Sequence, residues 1–133
     1  MSVLEAVGTY IDTNSADLTI GTNLFLSKMP NTPDYCVAVY EYTGISPIET
    51  FGAAPFEIDR PSVQVVVRAT RDDYVTARNK AETLRTLICG MINVSVSSVT
   101  VLRVKSAGSV LPLGVDDLDR PRVSFNVDCF VDV

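Results

Sequence analysis

The chain contains no histidine and only three cysteines. Without histidine there is no Ser-His-Asp or Cys-His pair and no histidine-ligated zinc. Cys36, Cys89 and Cys129 are odd in number, scattered, and free of any C-x-x-C spacing, so they form no disulfide framework. Cys129 sits on the apolar side of its segment and Cys89 ends a helical pattern, which predicts small buried hydrophobes. An excess of positive charge is missing as well. Eleven Lys and Arg stand against sixteen Asp and Glu, a net charge of −5. A general nucleic-acid binder needs clustered cations to neutralise phosphates, so no direct nucleic-acid recognition is expected. Only residues 71–85 are locally basic, and they carry acids too; pairs such as Glu82–Arg85 read as a solvated helix face. No apolar run approaches the length of a membrane span, and the first residues lack the basic segment and apolar core of a secretory signal. No membrane partner is expected, and the chain is expected to fold in a cytosol.

What is present is an ordinary globular composition: 133 residues, 47% apolar and 20% charged, expected to form one domain over residues 1–133. The clearest signal is 60–90, R-P-S-V-Q-V-V-V-R-A-T-R-D-D-Y-V-T-A-R-N-K-A-E-T-L-R-T-L-I-C-G. Its first part, 62–69, is rich in valine, which fits a pleated, half-buried surface. Val63, Val65 and Val67 fall on one side, Gln64, Val66 and Arg68 on the other. Apolar groups on both sides predict a central strand, and Pro61 stands just before it, where a missing N–H breaks no ladder bond. A helix follows. Asp72 or Asp73 can cap its first turn, and Tyr74, Ala77, Ala81, Leu84 and Ile88 recur at helical spacing. Gly90 is placed to end it as a left-handed C′ residue.

Around this pair the remaining elements fall in order. Residues 2–13 predict a short helix with the S-x-x-E capping box of Ser2 and Glu5 and a stripe of Val3, Val7, Tyr10 and Ile11. Gly8 weakens it by about 1 kcal/mol relative to alanine. Leu24, Phe25 and Leu26 are a candidate edge strand, followed by a stiff turn with Pro30 and Pro33. Residues 35–42 alternate as a strand. The stretch 44–59 is long for a loop and carries Ile45, Ile48, Phe51, Phe56 and Ile58. It reads either as a loop folded over its own sheet or as an arm that packs on a neighbour. Residues 91–98 read as a connection, 99–105 as a strand and 106–113 as a loop. Residues 114–120, G-V-D-D-L-D-R, place Asp116, Asp117 and Asp119 together, but the glycine and distal glutamate of a calcium loop are absent, so a solvated turn is expected and no metal. The last segment, 121–133, is the cleanest alternation: Val123, Phe125, Val127, Cys129 and Val131 on one side, Ser124, Asn126, Asp128, Phe130 and Asp132 on the other. Phe130 among polar neighbours is normal for a surface and also fits an interface.

The order helix, strand, strand, helix, strand, strand with short connections predicts an α+β fold. The expected form is a single, mostly antiparallel sheet of four to five strands, with both helices on one face.

Four segments carry a family resemblance: P-D-Y-C-V-A-V-Y-E-Y-T-G (33–44), R-P-S-V-Q-V-V-V-R (60–68), Y-V-T-A-R-N-K-A-E-T-L (74–84) and L-P-L-G-V-D-D-L-D-R-P-R-V-S-F-N-V (111–127). In this order and spacing they resemble the tailed-bacteriophage minor capsid proteins that act as tail terminators, also called tail-completion proteins. The family pattern has a strand ending in a T-G turn, a central Q-V-x-V-R strand, and Tyr then Ala down the helix. It closes on P-x-x-L-G-x-D-x-x-x-R before a last strand of S-x-N type. This chain departs from it in the L-P-L-G spacing and in carrying Val101 and Leu102 where the family often has aromatics. The likeness spans nearly the whole chain after the first helix.

The resemblance implies a structural virion protein of the tail and neck, assembled in the host cytoplasm. It implies neither an enzyme nor a cofactor. Such proteins form a ring of identical copies, usually a hexamer, at the head-proximal end of the tail tube. The ring stops tube polymerisation and meets the head–tail connector or another neck protein. The family has no catalytic motif to carry over, so contact candidates come from the residues themselves. They are the 45–59 stretch with Ile48, Phe51 and Phe56; the turn with Asp116, Asp117 and Asp119; and the polar side of the last strand with Asp128, Phe130 and Asp132. Each is equally readable as plain surface or core cover. The rival readings are another neck or head–tail connector protein, a non-catalytic binding domain, and an enzyme using carboxylate or lysine chemistry, which need not announce itself in a sequence.

Overall fold

The computed structural model describes residues 2–48 and 58–132. Helix α1 (Val3–Asn14) starts at the anticipated capping box: Ser2 Oγ accepts from the Glu5 N–H at 3.2 Å, and Glu5 Oε1 accepts from the Ser2 N–H at 3.2 Å. Two of the helix's orphan donors are thereby satisfied. Leu4, Ala6, Val7 and Ile11 are buried. Gly8 has a reason to be there. A Cβ on it would lie 2.6 Å from Leu26 Cδ2, so the bare backbone lets α1 approach strand β1 (Leu24–Leu26) closely.

The sheet is larger than expected and mixed rather than four- to five-stranded and mostly antiparallel. Among the described residues it has seven strands and curls into a half-barrel. β1 pairs in parallel with β2 (Cys36–Ile48), and β2 pairs antiparallel with β3 (Ile58–Arg68). β3 pairs with the last strand, β7 (Pro121–Asp132), which pairs with β5 (Val99–Ser106), and β5 with β4 (Ile92–Val96). β6 (Leu111–Val115) pairs with the beginning of β7, on the edge that β5 occupies further along. The α+β class and the central place of β3 agree with expectation.

Three features account for the difference. β4 lies in the stretch expected to be a connection; it is a short, mostly exposed edge, and Asn93 adopts a left-handed φ of 51° within it. β6 lies where a loop was expected, because Pro112 and the left-handed Gly114 mask a strand pattern that only an edge tolerates. β1 runs parallel to β2 although only residues 27–35 join them, where a crossover usually takes a dozen or more. The expected 44–59 loop is also shorter than it looks, since β2 runs to Ile48 and β3 starts at Ile58.

Helix α2 (Tyr74–Cys89) is capped by Asp73, whose side chain accepts from the Thr76 N–H at 3.3 Å; Asp72 takes a left-handed φ of 62° in the turn before it. Gly90 does not take the expected left-handed conformation. Its φ and ψ are −83° and −2°, and the N–H groups of Gly90 and Met91 bond back to Leu87 and Ile88, so a tight right-handed turn leads straight into β4. Tyr74 leaves the expected apolar face and is exposed, whereas Ala77, Ala81, Leu84 and Ile88 are fully buried.

Both helices cover the sheet face bearing Val37, Val39, Val63, Val65, Val67, Val123, Phe125, Val127 and Cys129, and these residues form one buried cluster with them. Each such valine-sized side chain contributes roughly 1.5–3 kcal/mol on burial. Cys36, Cys89 and Cys129 are free thiols, the first and last buried. The opposite face carries no helix among the described residues.

Candidate interaction surfaces

One end of the sheet is built on two nearly buried arginines. Arg68, at the end of β3, is 3% exposed. It donates from Nε to the Asp34 carbonyl at 3.0 Å and from Nη2 to the carbonyls of Pro30 and Pro33 at 2.6 and 2.7 Å. Arg120, 4% exposed, donates to the Asn31 carbonyl at 2.6 Å, to Asn31 Oδ1 at 2.9 Å and to Asp34 Oδ1 at 3.1 Å. Together they hold the turn between β1 and β2 against the turn that precedes β7. The short connection between the parallel strands β1 and β2 passes through this grip.

Asp116, Asp117 and Asp119 play three different parts. Asp116 turns inward: its Oδ2 receives Arg120 Nε at 2.9 Å and Nη2 at 2.8 Å, and its Oδ1 receives the N–H groups of Leu118 and Arg120 at 3.0 Å each. Desolvation alone would raise its pKa, but these bonds outweigh it and hold the carboxyl down at about 2. Asp119, with a left-handed φ of 58°, pairs with Arg71 at 3.2 Å. Asp117 is exposed and has no ion-pair partner among the described residues. The turn is therefore a clamp with an acidic crest. Among the described residues no group of three or more acids and cysteines is placed to hold a metal ion.

On the helix-free face, Asp128 accepts the Ser62 hydroxyl at 2.6 Å, and Phe130 is half-buried beside Leu102. Asp132 is exposed at the strand end, opposite Ile58 and Thr100. The structure brings Phe130 together with Ile58, Leu102, Arg103 and Lys105 around one shallow depression. Neither Arg103 nor Lys105 has an ion-pair partner among the described residues. Further along the same face, Arg122 Nε and Asn126 Oδ1 are buried with no hydrogen-bond partner among the described residues. Cys129, on the core side, is pushed up to about 12 by burial and by the nearby Asp128 and Cys89.

Of the first candidate stretch, the Ile48 backbone pairs with Ile58, the last pair of the β2–β3 hairpin before the connection; Phe51 and Phe56 lie outside the described residues.

Sequence reasoning missed a fourth surface. Nine large apolar residues are exposed among the described ones, and six of them, Tyr74, Val75, Leu111, Leu113, Val115 and Leu118, lie in the first turn of α2 or along β6 and the turn after it. The two segments are tied together at 72–119, where the Asp72 N–H meets the Asp119 carbonyl at 3.3 Å. They are tied again at 78–110, where Arg78 Nη1 meets the Val110 carbonyl at 3.1 Å. The readable signal was L-P-L-G-V followed by Leu118: large apolar residues in a stretch whose Pro and Gly forbid a central strand.

No helix among the described residues is long and apolar enough to cross a membrane. Seven solved chains match the fold. One superposes with a TM-score of 0.64 at 17% identity, covering 98% of this chain and 91% of its own length, which speaks to the fold alone. No curated protein matches. The bacteriophage tail terminator protein family matches residues 10–132, nearly the whole chain, as the four segments at 33–127 anticipated. This chain therefore belongs to the bacteriophage tail terminator family, and its place is among the structural proteins of a phage tail.

Proposed function

We propose that the protein forms a closed ring of identical copies, a hexamer, on the head-proximal end of the tail tube. There the ring stops tube polymerisation and offers its other side to the head–tail connector or a neighbouring neck protein. The family match over residues 10–132 carries this reading. The physical logic is that of a head-to-tail contact whose rotation closes on itself. One side of the ring must complement the last tube ring, while the other must refuse a further tube subunit. The protein acts by binding alone, with no catalytic step.

The test has two parts. Light scattering over a concentration series, with negative-stain images, reads the copy number. Polymerisation of the phage's own tail-tube protein with and without this chain reads the activity. Tubes of limited length capped at one end are expected. Tubes of unchanged length, with no bound protein at their ends, would remove the terminator reading. Binding to the portal side of the neck instead would favour the connector.

A further inference from the structure

β6 gains little from the place it occupies. Leu111, Leu113 and Val115 are 60%, 40% and 57% exposed, so pairing with β7 buries little of their apolar surface. The ladder is weak as well. It has four paired positions, with an irregularity between Pro112 and Gly114. Two of the four contain a proline, Pro112 opposite Val123 and Pro121 opposite Val115. A proline brings no N–H to such a ladder. The residues from 111 to 115 carry no polar side chain that could add to it.

What fixes the segment lies at its two ends. At the far end Arg120 Nη2 meets Asp116 Oδ2 at 2.8 Å, and the Asp72 N–H meets the Asp119 carbonyl at 3.3 Å. At the near end Val110 is 6% exposed, and its carbonyl accepts from Arg78 Nη1 at 3.1 Å. Before Val110 stands Gly108, exposed and left-handed at a φ of 113°, a conformation that is cheap for glycine alone. The strand under β6 has a divided edge. β7 pairs with β3 on one side, and on the other with β5 over 127–132 and with β6 over 121–124. Arg122, opposite Gly114, has a buried Nε with no hydrogen-bond partner among the described residues, so this part of the sheet is not fully satisfied.

We propose that β6 is a strap. Residues 109–115 swing out as one unit between Gly108 and the Asp116–Arg120 clamp, with Val110 as the latch. Closed, the strap gives the sheet a blunt outer edge, interrupted by Pro112 and the irregularity beside it. Open, it uncovers the 121–124 edge of β7, whose backbone groups are then free to pair with another strand. Few buried apolar contacts and a short, exposed ladder mark a segment that opens at far lower cost than the core. The device belongs to the single chain and does not depend on the ring.

Native-state proteolysis with thermolysin, which cuts before large apolar residues, reads the opening. Cut sites are assigned by mass. Cleavage before Leu111, Leu113 or Val115 is expected at a rate that stays flat over urea concentrations below the unfolding transition, because a local opening exposes little surface. The double variant Leu111→Cys, Ser124→Cys places a disulfide across the strap, since the two positions are opposite in register. Oxidised, it should be cut in this segment at least about tenfold more slowly than after reduction. A rate that climbs with urea in step with global unfolding would overturn the inference. So would a segment that survives until the core unfolds, or oxidised and reduced forms cut equally fast. If circular dichroism shows the double variant unfolded, the urea dependence of the wild type decides alone.

Discussion

Arg68 and Arg120 are almost completely removed from water, and between them their guanidinium groups meet four backbone carbonyl contacts and two carboxylates. Truncating Arg120 leaves the largely covered Asp116 carboxylate without its cation, while the exposed Asn31 and Asp34 can turn to water. Arg120→Ala should lower the stability to urea by about 1–3 kcal/mol. Arg120→Lys should recover only part of it, since an ammonium cannot fork between Asp116 and Asn31. Asp116 gives the same clamp a pH dependence. Its carboxyl is depressed from the ordinary 3.8 to about 2, so its contribution is complete above 3.8 and is lost as the pH falls through about 2. Asp116→Asn should therefore be less stable than the wild type at neutral pH, and the gap should close across that acid window in melting curves. The thiols offer a simpler check. Burial raises Cys36 and Cys129. A thiol reagent should modify the half-buried Cys89 well before either of them in the folded protein.

Among the elements, those most legible in sequence are the ones whose own periodicity is buried. β3, β7 and α2 show alternation or helical spacing because one side of each meets the core. The Ser2–Glu5 box marks the start of α1 for an equally local reason. β4 and β6 were not legible. They are short edges held by neighbours distant in sequence, and their exposed residues owe nothing to a core pattern. The parallel sense of β1 was hidden too: the turn that leads from it to β2 is held by Arg68 and Arg120, from 34 to 89 positions away. The same distance hid the candidate surfaces: Asp117 and Arg103 are ordinary surface charges until the fold sets Asp117 near Leu118 and Val115, and Arg103 near Phe130 and Ile92. At the β2–β3 hairpin, a Cβ on Gly44 would lie 2.6 Å from the Arg60 carbonyl oxygen and 3.0 Å from Pro61 Cα, both backbone atoms. Gly44→Ala should force these strands apart at a cost of about 1–3 kcal/mol, read as a lower melting temperature and faster amide exchange over 58–62.

For the molecule as a whole, the net charge of −5 hides an uneven distribution, with acids on the surface around the β6 turn and with Arg103 and Lys105 interleaved with Asp128 and Asp132 on the surface of β5 and β7. If copies meet through these surfaces, added salt should weaken their association before it affects folding, because screening over about 10 Å at 0.1 M acts on exposed charges far more than on a core. Sedimentation at low and high salt, beside melting curves in the same buffers, would show the two responses separating. Equal responses would mean that the contact is carried by apolar groups alone. The arginine grip has a consequence in time as well. The 30–34 turn depends on donors supplied by residue 68 and by residue 120, so on a ribosome it has no complete set of partners until residue 120 has emerged. This turn should gain its structure late in synthesis and in refolding. Until then the end of the sheet where it sits lacks its clamp, and the β1–β2 connection is free to sample other conformations.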